Sequence, residues 1–139
     1  SGQAHAFLKQ GPAAERDLRM AVKLASRHEL YWFTLADNYA NNLRDNAQAL
    51  ATYEHLWSLT GKSNGWLPIS VTLARARILT DQVKTDEALA ILNQYDDLTT
   101  MAPVWRVRML RAYGHAYAAQ GDEAAALAKF REALALEQP

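Results

Sequence analysis

The stretch Ala112-Tyr113-Gly114-His115-Ala116-Tyr117-Ala118-Ala119-Gln120-Gly121-Asp122 poses the question that decides the fold. A histidine between two tyrosines, bracketed by glycines, has the outline of an active-site edge. The competing reading is mechanical: Gly114 lies on the packed face of a helix so that a second helix can come close. A mid-helix glycine costs about 0.5–1 kcal/mol relative to alanine, which close packing offsets and an exposed site does not. Gly121 then ends this helix and Asp122 caps the next. On this reading the stretch is a packing seam.

The rest of the chain has the punctuation of such seams. Proline occurs only at positions 12, 68, 103 and 139, and glycine only at 2, 11, 61, 65, 114 and 121. Between them lie long segments rich in Ala, Leu, Arg and Glu, the strong helix formers, with no alternating β-branched runs. The chain is expected to be all-α. A remnant helix ends near Gln10, and Pro12 opens a second to about Arg27. A third runs from His28 or Glu29 to about Leu43, and Asp45 caps a fourth that Gly61 terminates. Pro68 stands near the start of a fifth, to about Gln82. Asp86 stands near the start of a sixth, to about Asp97. Pro103 opens a seventh ending at Gln120-Gly121, and Asp122 caps the last. Short links make neighbouring helices antiparallel hairpins.

Self-similarity runs through these helices. His5-Ala6-Phe7 with Gln10-Gly11 matches His115-Ala116-Tyr117 with Gln120-Gly121. Every second helix carries a small residue, a large one four later and another three beyond: Ala14, Leu18, Ala21; Ala49, Tyr53, Leu56; Ala88, Leu92, Tyr95; and Ala126, Phe130, Ala133. The first members recur at intervals of 35, 39 and 38 residues, a tandem period.

On these residues the chain resembles the tetratricopeptide repeat family, whose unit is a helical hairpin of about 34 residues. The last unit, 103–137, matches best through Leu110, Tyr113-Gly114, Tyr117, the Gly121-Asp122 turn, Ala126, Phe130 and Ala133-Leu134. Residues 29–60 follow through Trp32, Leu35-Ala36, Tyr39, Ala49, Tyr53 and Leu56, with one extra turn residue, and Ala36 is the counterpart of Gly114. Residues 66–98 fit through Ala88, Leu92 and Tyr95, but Thr72 and Arg75 stand where large first-helix residues belong, so the register of helix 68–82 stays open. Residues 1–27 form a truncated hairpin. The resemblance implies a right-handed α-solenoid of about three and a half antiparallel hairpins, one domain over 1–139; the truncated first hairpin and the apolar last helix lead to the expectation that it is a fragment of a longer protein.

Composition narrows the function. Half of the 139 residues are hydrophobic, enough for a continuous core. Fifteen basic and fifteen acidic residues cancel, and evenly: seven against six over 1–65, eight against nine over 66–139. No global attraction to nucleic acid or anionic membrane follows. No apolar run reaches the roughly 18 residues of a membrane span. The chain has no cysteine, hence no disulfide or thiolate site, and the compartment, cytoplasmic or periplasmic, stays open.

Candidate chemistry is thin. Gly61-Lys62-Ser63 lacks the upstream glycine of a phosphate loop, with Leu56 in its place, and Gly61 is better read as a helix cap. The histidines at 5, 28, 55 and 115 include no pair at metal-ligand spacing. Neither Glu54-His55 nor Asp96-Asp97 makes an acid/base pair, and no serine sits in a nucleophile elbow. No enzyme activity, metal or cofactor is expected. Most Trp and Tyr residues occupy repeat frame positions. Trp66, placed in a turn, and Trp105 do not, and remain either helix-start staples or partner anchors.

The resemblance implies that first helices line a concave groove for a peptide or partner helix. Its positions are Leu30, Phe33, Thr34, Asp37 and Asn41; then Leu73, Ala74 and Arg77; then Arg108, Arg111 and His115. Arginine forks suit carboxylates, so the expected partner is a protein or peptide segment with acidic and apolar residues. Phe33 and Asp37 depart from the Lys and Asn by which the family's chaperone-tail binders clamp a terminal carboxylate. Two other readings stand beside this scaffold: an accessory docking or regulatory domain of a larger enzyme, and a self-association module. Leu127, Phe130 and Leu134 on the last helix, with few charges, point to a continued array or a homo-oligomer through the terminal helices.

Overall fold

The structure, a computed structural model, describes residues 11–24 and 29–137, with side chains for 11–20 and 29–137. The readings placed on residues 1–10, 25–28 and 138–139, and on the side chain of Ala21, lie outside the described residues. Among those described, every regular element is helical: α1 (Gly11–Leu24), α2 (Glu29–Asn41), α3 (Asn46–Thr60), α4 (Trp66–Asp81), α5 (Thr85–Leu92), a 3-10 turn (Leu98–Thr100), α6 (Pro103–Gln120) and α7 (Glu123–Glu137). They fall into two compact units, divided between Gly61 and Lys62.

In the first unit α2 packs against both α1 and α3. Ala14, Leu18, Leu35, Ala36, Tyr39, Ala49, Tyr53 and Leu56 form its buried seam. Asn38, almost fully buried, donates from Nδ2 to the Gly11 carbonyl at 3.4 Å and accepts at Oδ1 from Asn42 Nδ2 at 2.6 Å. The Tyr39 hydroxyl donates to Glu15 Oε1 at 3.1 Å and accepts from Arg19 at 3.2 Å, tying α2 to α1 through a polar edge.

In the second unit α4 packs on α5 and α6, α5 on α6, and α6 on α7. A helix touched from two sides must be apolar on more than one face. Accordingly Pro68, Ile69, Val71, Thr72, Ala76, Ile78 and Leu79 of α4 are all buried. The frame residues Ala88, Leu92, Tyr95, Ala126 and Ala133 are buried too, and Phe130 half-buried.

Three turns share one construction. At the end of α6, Gly121 adopts φ 87°, its N–H donates to the Ala118 carbonyl, and the Asp122 N–H reaches back to Tyr117 at 3.0 Å, a Schellman motif. After α4, Val83 adopts φ 58°, with Val83 N–H to Thr80 and Lys84 N–H to Leu79 at 2.8 Å. After α2, Arg44 adopts φ 55° and the Asp45 N–H reaches Tyr39 at 2.8 Å, spanning one residue more. The left-handed residues 44, 83 and 121 lie 39 and 38 residues apart, as do the helix starts Asn46, Thr85 and Glu123. α2, α4 and α6 each begin 37 residues after the last.

These hydrogen bonds make Tyr39, Leu79 and Tyr117 equivalent and so fix the register left open in α4. Three residues earlier stand Ala36, Ala76 and Gly114, each buried, and Arg75 falls with Leu35 and Tyr113. Gly114 faces Phe130: a Cβ there would lie 2.7 Å from the ring Cε1 and Cζ. Packing, not access, accounts for it.

Three boundaries differ from expectation. α2 ends at Asn41, two residues early. Trp66 is the first residue of α4 rather than part of a turn. α5 stops at Leu92 rather than Asp97, and Tyr95 keeps its frame position outside the helix, its hydroxyl donating to the Ser63 carbonyl at 2.7 Å. Asp96 and Asp97 beyond it oppose continuation, since carboxylates are unfavourable at a helix C-terminus. Asp97 instead accepts from the Thr99 N–H and hydroxyl, which holds its carboxyl below the usual range and caps the 3-10 turn.

Candidate functional site

The four candidates of the second unit, Arg77, Arg108, Arg111 and His115, come together in one groove. It has a volume of about 570 Å³. One wall is the α4 stripe Leu73, Ala76, Arg77, Thr80 and Asp81; the other is the α6 stripe Arg108, Arg111, Ala112, His115 and Ala119. The spacing of three and four residues puts each set on one helix face. Small side chains at 76, 112 and 119 leave the space open, and Leu73 adds an apolar wall.

Each of the four side chains is held differently. Arg111 pairs with Glu137 of α7, both side chains partly exposed. The Arg108 guanidinium lies 4.8 Å from the centroid of the half-buried Trp105 ring, a cation–π contact that leaves its N–H edges for another acceptor. The His115 ring meets the Phe130 ring edge-on at 5.2 Å. Arg77, exposed, makes no ion pair or side-chain hydrogen bond among the described residues. Asp81 is the single carboxylate of the lining against three arginines.

Phe33, Asp37 and Asn41 belong to the first unit. The turn register makes them equivalent to Leu73, Arg77 and Asp81 of α4 and to Arg111, His115 and Ala119 of α6. The sequence therefore picked out the first two of these positions in all three helices and the third, Asn41, in α2 alone. Their settings in α2 differ: the Phe33 ring lies 6.1 Å from that of Tyr53, and the Asp37 carboxylate accepts from the Tyr53 hydroxyl. Asn41 is exposed at the end of α2. Of the other expected positions, Leu73 lines the groove and Ala74 does not. Thr34 turns its hydroxyl to the Leu30 carbonyl at 2.8 Å.

Sequence reasoning missed Ala76, Thr80, Asp81, Ala112, Ala119 and the part played by Glu137. Ala112 and Ala119 lie one turn either side of His115, so the stripe itself was the available signal. Nothing in the sequence ties Glu137 to Arg111, 26 residues away.

Among the described residues no group of three or more His, Asp or Glu side chains is placed to hold a metal ion. No described helix is long and apolar enough to cross a membrane. No protein-family model matches the chain, and no curated protein shows significant sequence similarity to it.

Proposed function

We propose that the chain is a non-catalytic interaction scaffold, a tandem array of helical hairpins of tetratricopeptide type with the right-handed solenoid stacking that the resemblance implies. The α4/α6 groove takes a protein segment that carries both carboxylates and apolar side chains. The recurring turns at Arg44, Val83 and Gly121, and the packing of α4 on both α5 and α6, support the repeat. The observation that carries the function is the convergence of Arg77, Arg108, Arg111 and His115 over an alanine-lined floor. Guanidinium forks recognise carboxylates bidentately, and apolar surface beside them rewards an amphipathic ligand. The two tyrosines flanking Gly114 and His115 are absorbed by packing, which leaves binding as the role of the exposed edge.

The test is fluorescence anisotropy with a labelled peptide of alternating Glu and Leu, its ends blocked so that only side-chain carboxylates are offered. Arg108→Glu with Arg111→Glu is expected to lower affinity at least tenfold while the chain stays folded, with a small drop in melting temperature from the lost Glu137 and Trp105 contacts. Retained affinity in a folded double variant removes this groove from the account.

A further inference from the structure

The ion pair between Arg111 and Glu137 places a carboxylate of the protein itself on the groove's middle arginine. Arg111 lines the groove, and Glu137 belongs to the last described turn of α7, where a second, smaller hollow of about 300 Å³ is lined by Val107, Arg108, Arg111, Leu136 and Glu137. Two neighbouring clefts thus share Arg108 and Arg111. Resting on the groove reading above, we propose that Glu137 is an internal competitor for the partner: a carboxylate of the bound segment takes over Arg111, and the end of α7 lets go.

The chemistry favours exchange. Glu137 and Arg111 are both about half exposed, so their pair is worth only about 0–1 kcal/mol and neither charge is trapped by burial. An incoming carboxylate replaces a like group, so the Coulombic gain at Arg111 nearly cancels, and the net gain must come from elsewhere in the groove. Arg77, unpaired among the described residues, and Arg108, whose guanidinium edges lie open above Trp105, supply it. The exchange also selects the ligand. A segment with one carboxylate gains little by displacing Glu137, whereas one with two or more acidic side chains along a helical or extended face engages Arg111 and a second arginine together.

The experiment is a double-mutant cycle on the folded chain at 50 mM NaCl, with the same end-blocked Glu/Leu peptide and a Gln/Leu version as control. Glu137→Gln is expected to tighten binding of the Glu/Leu peptide by about two- to fivefold, the worth of one exposed ion pair. The gain is expected to vanish in the Arg111→Gln background and to be absent with the Gln/Leu peptide. Equal affinity of the wild type and Glu137→Gln overturns the competitor role while leaving the groove in place. A gain that survives Arg111→Gln also overturns it, because the effect is then one of net charge. Failure of both wild type and Glu137→Gln to bind the Glu/Leu peptide overturns the groove itself, and the competitor with it.

Discussion

Gly114 shows most sharply how one side chain sets the geometry around it. A methyl group there would sit 2.7 Å from two Phe130 ring carbons, where unstrained carbons keep about 3.5–4.0 Å. The Phe130 ring would have to shift, giving up part of its edge-on contact with the His115 ring at 5.2 Å. Overpacking costs about 1–3 kcal/mol, and alanine regains about 0.5–1 kcal/mol of helix propensity. Gly114→Ala is therefore expected to destabilise by about 1 kcal/mol in urea unfolding, and Phe130→Leu in the same chain to remove most of that cost. A Gly114→Ala protein as stable as the wild type would contradict the contact. The residue before it, Tyr113, is buried and donates its hydroxyl to Asn93 Oδ1 at 2.7 Å. Burial pushes its pKa up to about 12, with the nearby Tyr117 adding to the effect. Unfolded tyrosine ionises near pH 10, so the contribution is complete below pH 10 and is lost as pH rises toward 12. Tyr113→Phe should flatten that alkaline loss of stability, read as the pH dependence of the melting temperature.

The elements were legible where the turn chemistry is written in side chains and obscure where it is not. Asp45 and Asp122 look like caps and are: their carboxylates accept from the Gln48 and Ala125 N–H groups at 3.1 Å. Gly61 looks like a helix end, and its N–H closes on Trp57 at 2.8 Å. Val83 carries no turn signal at all, yet it occupies the left-handed position that glycine fills at 121. A β-branched residue there bears about 1–2 kcal/mol of steric cost, and Val83 is 70% exposed, so little packing is lost on its removal. Val83→Gly should raise stability by about 1 kcal/mol. Lys84, at the position of Asp45 and Asp122, makes no side-chain cap bond. Lys84→Asp should add about 1 kcal/mol more by supplying one. Thermal unfolding of both variants checks whether the three turns are one structure; a loss of stability in either would show they are not. The overlong expectation for α5 has the same origin. No proline or glycine stands between Leu92 and Pro103, and the only signal against a longer helix is the carboxylate pair Asp96 and Asp97, which a propensity count passes over.

At the scale of the molecule, charge is balanced overall, so attraction for an acidic segment has to be local. The groove supplies it through arginines on α4 and α6. Its residues were legible because the repeat frame places equivalent positions on one face of each first helix. Arg77 could be named but not placed, since the residues that mark register elsewhere are replaced by Thr72 and Arg75 in α4. Backbone hydrogen bonds of the turns settle what those side chains hide. Glu137 was beyond reach because pairing across helices depends on packing, not on spacing. Screening gives a further check: raising NaCl from 50 to 500 mM should weaken Glu/Leu peptide binding several-fold and leave the fold intact. The most direct measurement is a ¹H–¹⁵N chemical-shift map of the uniformly labelled chain titrated with that peptide. The largest shifts are expected at Leu73, Arg77, Asp81, Arg111, Ala112 and His115, saturating together. Shifts confined to other surfaces, or none at peptide concentrations of several millimolar, would contradict it.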